Sequence, residues 1–388
     1  MMKNILKLSV ALFLVLFCVH ASYAGYAEAR QPILWSMRSL GMGGAGIVVC
    51  NNEDALIFNP ASLVYVPSVK FTVNALNAGI NHSIISQVQE SVPALQEIMK
   101  MDFENMSEDA KDWLMSPHSL GFEPGLNLTF VSPWGLNFGA YLNADLNAEL
   151  GVGVWSPTLG VDAMVDGIVT DGLACKIYLP IEDLNPIDFG ISARLIGRGK
   201  VDIFESFLSF MMQMMGDESF MNNYLSELTD GALSWGLGIN TGLTYMWDNE
   251  TMGLGLTFNN MGIGGGTKLG AIPIGNLGGG KTSMIPMTMN LGWGWYYYNW
   301  VFACDITDIL TGGDIFKKIH LGAEYPLTNF LILRAGFNSG WPTVGCRLVA
   351  GLKLLRLYAE YAYSGSEAGY YAGQWADYYH RLNVALQF

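Results

Sequence analysis

Past its first two dozen residues, the chain has no apolar run of the roughly 20 residues that a membrane-spanning helix needs. Charge is also scarce. Asp, Glu, Lys and Arg make up 14% of the 388 residues, where a soluble domain carries about 25%. The five cysteines, Cys18, Cys50, Cys175, Cys304 and Cys346, are far apart with no C-x-x-C pair. Neither a disulfide framework nor a zinc site is indicated. The five histidines stand alone without metal-ligand spacing, and no G-x-S-x-G elbow occurs. The sequence therefore names no catalytic residue, no metal and no other cofactor. A net charge of −14 excludes nucleic acid as a charge-driven partner. What the chain does have is 51% hydrophobic residues and 46 glycines, too apolar for disorder. Hydrophobicity without hydrophobic runs must be spread as alternation, the signature of a transmembrane β-barrel.

The N-terminus reads as an export signal. Met1 to Lys7 carries two lysines and no acid, Leu8 to Val19 is almost unbroken apolar sequence, and Ser22 and Ala24 supply the small residues of a cleavage site. Residues 1–24 are expected to be removed. Losing Lys3 and Lys7 makes the mature chain more acidic still.

Period-two alternation is clearest from Gly135 to Leu150. Its even positions, from Leu136 and Phe138 to Leu150, are all apolar, and its odd positions are small or polar apart from Tyr141. No 3.6-residue helix gives that pattern, and 16 residues is long for a soluble strand of roughly 5–6. Fourteen such segments are predicted between Val69 and Phe388. They include Gly125–Val131, Ala163–Leu179, Ile187–Lys200, Ile285–Tyr297 and Ile315–Tyr325. An even number suits a closed antiparallel barrel, and tight turns alternate with long loops as in outer-membrane barrels. Trp293, Trp295, Tyr296, Tyr297, Tyr298 and Trp300 surround one turn and suggest an interfacial girdle. The expected architecture is an all-β, fourteen-stranded antiparallel transmembrane barrel over residues 68–388, in the bacterial outer membrane. Helical loop insertions are expected at about 79–124 and 201–231.

Residues 25–67 do not alternate. Gly41, Gly43 and Gly46 fit G-x-G-x-x-G, but no strand precedes them as a dinucleotide site requires. The order of the whole segment is more informative: Leu40-Gly41-Met42-Gly43-Gly44-Ala45-Gly46, then Asn52-Glu53-Asp54-Ala55-Leu56, then Phe58-Asn59-Pro60-Ala61-Ser62-Leu63. This order resembles the N-terminal hatch of the FadL/TodX family of outer-membrane hydrophobic-compound transporters. PorV-like secretion factors share much of the pattern. The resemblance implies a plug inside the barrel over 25–67, with Gly41, Gly43, Gly44, Gly46, Asn59, Pro60 and Ala61 as hatch residues. Glycines let a plug approach the wall of a narrow bore. The terminal Phe388, with apolar residues at every second place before it, resembles the signal read by the barrel-assembly machinery.

The loop 201–231 reads as helical, with Phe204, Phe207, Leu208, Met211, Met212 and Met215 at three- and four-residue spacing. These residues either form a soft groove for an acyl chain or pack on the helical pattern Ile85, Val88, Val92, Leu95 and Ile98 of the preceding long loop. The Gly-rich stretch 261–284 is expected to be draped and without chemistry. Among polar-phase residues, the basic ones are Lys176, Arg194, Arg198, Arg334 and Arg347, and the acids are Asp145, Glu149, Asp188, Asp305 and Glu360. Arg194, Arg198 and Lys176 are candidates to hold a ligand carboxylate. The competing reading pairs these arginines with wall or hatch carboxylates.

The function that the resemblance implies is passive transport of a long-chain fatty acid or another hydrophobic molecule, gated by the hatch. The protein would be a monomer in outer-membrane lipid. The alternative is a barrel of the same fold serving secretion or assembly. A ligand-sized apolar lumen favours transport, and a lumen filled by side chains favours the scaffold.

Overall fold

The computed structural model describes residues 31–82, 97, 107, 111, 118–133, 135–152, 157–181, 184–206, 233–247, 249–262, 271–276, 283–352, 355–367, 371, 372, 374 and 376–388. The signal sequence, most of both long loops, and Phe207, Leu208, Met211, Met212 and Met215 lie outside the described residues.

The first seven strands are β1 (Lys70–Asn81), β2 (His118–Val131), β3 (Asn137–Val152), β4 (Pro157–Ile177), β5 (Ile187–Ser206), β6 (Leu233–Trp247) and β7 (Met252–Gly262). A short hairpin follows, β8 (Ala271–Asn276) and β9 (Ser283–Pro286). The remainder are β10 (Thr288–Tyr297), β11 (Trp300–Ile306), β12 (Ile319–Pro326), β13 (Leu331–Asn338), β14 (Trp341–Leu352), β15 (Leu355–Glu367) and β16 (Ala376–Gln387). Among the described residues, fourteen of these strands close an antiparallel ring. β1 pairs with β16, β5 with β6, and β7 with β10 across the hairpin. Closure leaves no sheet edge, which is what a lipid environment demands of a β-structure.

The alternation faces as the sequence predicts. Leu142 and Leu146 on the even phase of β3 are exposed on the outside, as is Leu136 just before it at 68%, while Asn137, Tyr141 and Asn143 are buried within the ring. Trp295 packs on Tyr297 and Phe302, and Trp300 on Tyr325, a belt of rings at the short-turn rim. At the same rim the chain end closes the seam. Phe388 and Phe71 exchange backbone hydrogen bonds of 2.9 and 3.1 Å.

Several boundaries differ from the sequence reading. The second strand starts seven residues early, at His118. Its Pro124, which supplies no amide, lies beside a register shift in β1 between Asn74 and Asn77. The fifth strand runs on to Ser206, so Phe204 belongs to a strand and not to the expected helical loop. The Gly-rich stretch 261–284 contains β8 and the first half of β9. The predicted strand Ile285–Tyr297 is broken at Met287. The segment from Ile315 begins as a 3-10 helix (Ile315–Lys318) before β12.

Inside the ring lies the N-terminal segment from Gln31 to Val66. It contains α1 (Met37–Gly41), α2 (Ala55–Phe58) and a second 3-10 helix (Pro60–Tyr65). Ser36 caps α1 by accepting the Ser39 amide at 3.1 Å. Asn59 caps the 3-10 helix, and Pro60 at its first position has no amide to leave unpaired.

Candidate functional site: the lumen and its N-terminal segment

The segment crosses the lumen from the long-loop side to the short-turn rim. At the first end, Gln31 donates to the Pro286 carbonyl at 3.3 Å and the Ile33 amide donates to Asp166 at 2.9 Å. At the other end the Tyr65 hydroxyl donates to Asp188 on β5.

Its tightest approach uses the absence of Cβ atoms on the wall. A Cβ on Gly242 of β6 would stand 1.9 Å from Asn59 Oδ1, and one on Gly190 of β5 would stand 2.2 Å from the Ala61 amide. Asn59, fully buried, spends all its polar atoms here. Oδ1 accepts the Ala61 amide at 3.0 Å, and Nδ2 donates to the Ile47 carbonyl at 3.0 Å and to Thr244 Oγ1 at 2.8 Å. Gly43, at φ +69°, passes between β12 and β13, where a Cβ would lie 2.4 Å from the carbonyls of Leu321 and Phe337. Gly41 lies against Gly345 and Arg334, and Gly44 against His320. Gly46 has ordinary clearance and contributes its amide instead. That amide and the Ile47 amide donate to Asp305 Oδ2 at 2.6 and 2.9 Å. All seven sequence-selected residues of this segment are thus at or beside the wall contact.

A buried ladder of charge runs alongside. Arg38 of the segment makes a two-pronged pair with Glu324 at 2.8 and 3.0 Å. Glu324 also takes Arg334 Nε at 2.8 Å. Arg334 and Arg347 both donate to Glu360 Oε1, at 3.0 and 2.8 Å. Arginine's planar fork suits such shared carboxylates. Burial pushes the nearby Cys50 thiol up to about 12, so it remains a protonated, inert packing group.

The three candidate carboxylate ligands do not form one site. Arg198 Nε and Nη2 pair with Asp166 at 2.7 and 2.8 Å, and Nη2 also meets the Gln31 carbonyl at 3.3 Å. Arg194 donates to Asn260 at 3.2 Å and to the Leu56 and Ile57 carbonyls at 3.4 Å, leaving Nε buried without a partner. Lys176 lies near the opposite rim, paired with Glu250 at 2.9 Å and over the Tyr65 ring. For Arg198 the competing reading of the sequence, pairing within the protein, is what the structure displays.

Two features escaped the sequence reading. Ile285 and Met287 sit on the apolar phase of a predicted strand, yet both are fully buried. Ile285 packs in the lumen with Tyr141, Ile168 and Ile196, beside Leu34 and Ile57. The β8–β9 hairpin turns this end of the strand inward, and the Gly-rich composition around it hid the hairpin. Likewise His82 and His380, alone in sequence, meet at 2.8 Å across the β1–β16 seam, with the Tyr361 hydroxyl on the other His380 nitrogen at 2.7 Å. Register, which no single segment reveals, brings them together.

Between the segment and the wall formed by β1–β3 and β14–β16 is a cavity of about 30 Å³. Trp35, Arg38, Glu53, Asp54 and Ile57 line it from the segment. Asn77, Asn127, Tyr141, Tyr358, Glu360 and Asn383 are among its wall residues. Among the described residues, no group of His, Cys, Asp and Glu is placed to hold a metal ion.

No protein-family model matches the chain. No curated protein matches it by sequence either. Solved structures do match in shape. A TodX deltaS2S3 mutant monoaromatic hydrocarbon channel superposes with a TM-score of 0.53 at 14% identity, covering 91% of this chain and 98% of that one. A TodX deltaS2 mutant channel gives 0.50 at 14% identity, covering 91% and 97%. At that identity the likeness is one of fold. Among the described residues no helix is long and apolar enough to cross a membrane. The fourteen-stranded ring, apolar outside and polar inside, shares its fold with these hydrocarbon channels.

Proposed function

We propose that the protein is an outer-membrane channel of the FadL/TodX type that passes hydrophobic small molecules, with the segment 25–67 as its hatch. The observation that carries this reading is the fit of Asn59, Pro60 and Ala61 into wall positions held open by Gly190 and Gly242. A segment matched to the wall at this level is a built part of the lumen. The outward apolar face supports a place in the membrane, and the shared fold with hydrocarbon channels supports the cargo class. In this reading, cargo entering from the long-loop side meets the apolar cluster of Tyr141, Ile168, Ile196 and Ile285, and displacement of the hatch completes the path. Neither a cofactor nor a catalytic group takes part. Residues 1–24 are removed on export, the barrel works as a monomer, and Phe388 engages the barrel-assembly machinery.

The test is uptake into proteoliposomes of radiolabelled aromatic hydrocarbons and long-chain fatty acids by the mature protein. Saturable uptake that becomes unregulated ion leak on deletion of residues 25–62 supports a hatch-gated channel. Intact, heat-modifiable barrels that pass none of these molecules would reject it.

One observation favours a second reading. Around the segment the lumen is filled with paired side chains, and the cavity that remains has a polar lining. This is what a scaffold for secretion or assembly requires. Failure of uptake together with recovery of a defined protein partner on the long-loop face would favour it.

A further inference from the structure

Strand positions that face lipid should be apolar, and Asp171 in the middle of β4 breaks that rule. It pairs with Phe138 on β3 and with Ala193 on β5. Directly opposed residues share a face of the sheet, so Asp171 points outward with Phe138. It is exposed, between Val169 and Leu173, which are 44% and 59% exposed on the same phase. The next residue, Gly172, faces the lumen, where a Cβ would meet Leu56 and Leu63 of the segment. A carboxylate facing lipid is costly and asks for a partner. The protein supplies only part of one. The Ala193 amide donates to Asp171 Oδ1 at 3.2 Å, and among the described residues Oδ2 has no partner.

A second feature of the same outer face lies toward the long-loop side. Gly167 and Gly197 pair across β4 and β5 on the outward phase. Within 4 Å, a Cβ on either would meet only the other's carbonyl oxygen, at 3.9 and 3.8 Å, so no side chain fills the space above them. Leu142, paired with Gly167, and Trp235, paired with Gly197, are 54% and 52% exposed and form the sides of this shallow furrow. Asp171 is four residues from Gly167 along β4, about 13 Å at the usual rise per residue. On its β3 side Asp171 is level with Phe138, the second residue of that strand, close to the short-turn rim.

We infer that Asp171 and the Gly167–Gly197 furrow form a docking site for a phospholipid with a primary ammonium headgroup. The ammonium donates to Asp171 Oδ2 near the short-turn boundary, and one acyl chain lies along the furrow toward the bilayer centre. Charge selects the headgroup, since a carboxylate attracts a cation and repels an anionic lipid. A hydrogen bond between charged partners favours an ammonium that has N–H groups over a quaternary one that has none. The furrow selects a ligand that carries a chain over a soluble amine. The inference rests on the membrane placement proposed above and is independent of the cargo.

The test is native mass spectrometry of the mature full-length protein, released from bilayers that hold equal amounts of dioleoyl phosphatidylethanolamine, phosphatidylcholine and phosphatidylglycerol. Phosphatidylethanolamine adducts should exceed each of the others about fivefold. Asp171→Asn should bring them down to the phosphatidylcholine level. Gly167→Leu, which fills the furrow, should reduce adducts of all three lipids. Heat-modifiability checks assembly of each variant, and the wild-type order tests the site without any variant. Equal adducts, or phosphatidylglycerol ahead, overturn the inference. So does an ethanolamine preference that survives Asp171→Asn. Free ethanolamine that competes as well as the lipid leaves the furrow no role and overturns the docking site, as does a stoichiometric protein held through Asp171 that phosphatidylethanolamine does not displace. If the barrel inserts into these bilayers without the expected order, the docking site falls alone. If it inserts into no bilayer, the site and the membrane placement fall together.

Discussion

Asn59 on the N-terminal segment and Thr244 on the sixth strand share a 2.8 Å hydrogen bond that exists only because residue 242 has no side chain. A methyl group there would stand 1.9 Å from Asn59 Oδ1. Gly242→Ala should therefore evict Asn59 and leave its partners unpaired, a cost of about 1–3 kcal/mol. The barrel wall itself loses nothing. The variant should assemble to a heat-modifiable barrel whose ion conductance in planar bilayers rises at least about tenfold. Wild-type conductance would reject a seated hatch.

Arg38 links the segment to the ladder through a pair whose side chains are both 11% exposed. Truncating one member of a buried pair costs about 3–5 kcal/mol. Here Arg334 also holds Glu324 and softens the loss. Arg38→Met should thus weaken the segment by less than Glu324→Gln, which removes the negative charge shared by two arginines and turns one of its acceptor oxygens into a donor. Limited proteolysis of the segment in assembled barrels gives the ranking, and the reverse order would refute the ladder.

Asp305 receives two backbone amides on a single oxygen. Asp305→Asn keeps an acceptor and should cost about 1 kcal/mol. Asp305→Leu strands both amides and should cost about 2–4 kcal/mol. Urea midpoints of segment release, read by protease cleavage, distinguish the two. Equal effects would show that the oxygen is not the anchor.

Arg198 is committed to Asp166, which also holds the Ile33 amide. Arg198→Met should loosen residues 31–34 without changing the preference between an acyl carboxylate and the corresponding alcohol. A selective loss of carboxylate binding, by a factor of about ten or more, would restore Arg198 as a ligand group.

On the long-loop side, outside the strands, Asp314 accepts the amides of Phe316 and Ala372 at 3.0 and 2.9 Å. These bonds hold its carboxyl below the usual carboxylate range. A carboxyl lowered in the folded state contributes stability above its unfolded pKa of about 4 and loses it as pH falls through the folded value. Cleavage near residues 371–374 should therefore rise only in acid for the wild type. In Asp314→Ala it should be high already at neutral pH. Indistinguishable cleavage profiles would remove the tether.

The barrel was legible because lipid outside and water inside impose one repeat on every strand. Leu136 and Leu142 against Asn137 and Asn143 show it residue by residue. The glycines and Asn59-Pro60-Ala61 of the segment were singled out by their resemblance to a family pattern, and the structure places them against wall glycines, where close approach restricts residue type. What stayed hidden depends on partners distant in sequence. Ile285 follows the membrane phase but turns inward with a hairpin that no local pattern announced. His82 meets His380 only through the β1–β16 register. The partner of Arg198 stayed open because its acid, Asp166, is 32 residues away on a neighbouring strand.

The wall glycines also set a direction. On the arc from β5 through β14 the segment touches backbone at Gly190, Gly242, Gly322, Gly336 and Gly345, and close-packed surfaces do not yield. The opposite arc, β1–β3, faces it across the cavity. The bore is thus asymmetric, in backbone contact with the segment along one arc and separated from it by the cavity along the other. In the proposed channel, displacement of the segment would begin toward Asn77 and Asn127 and leave its vacated space beside the glycine arc.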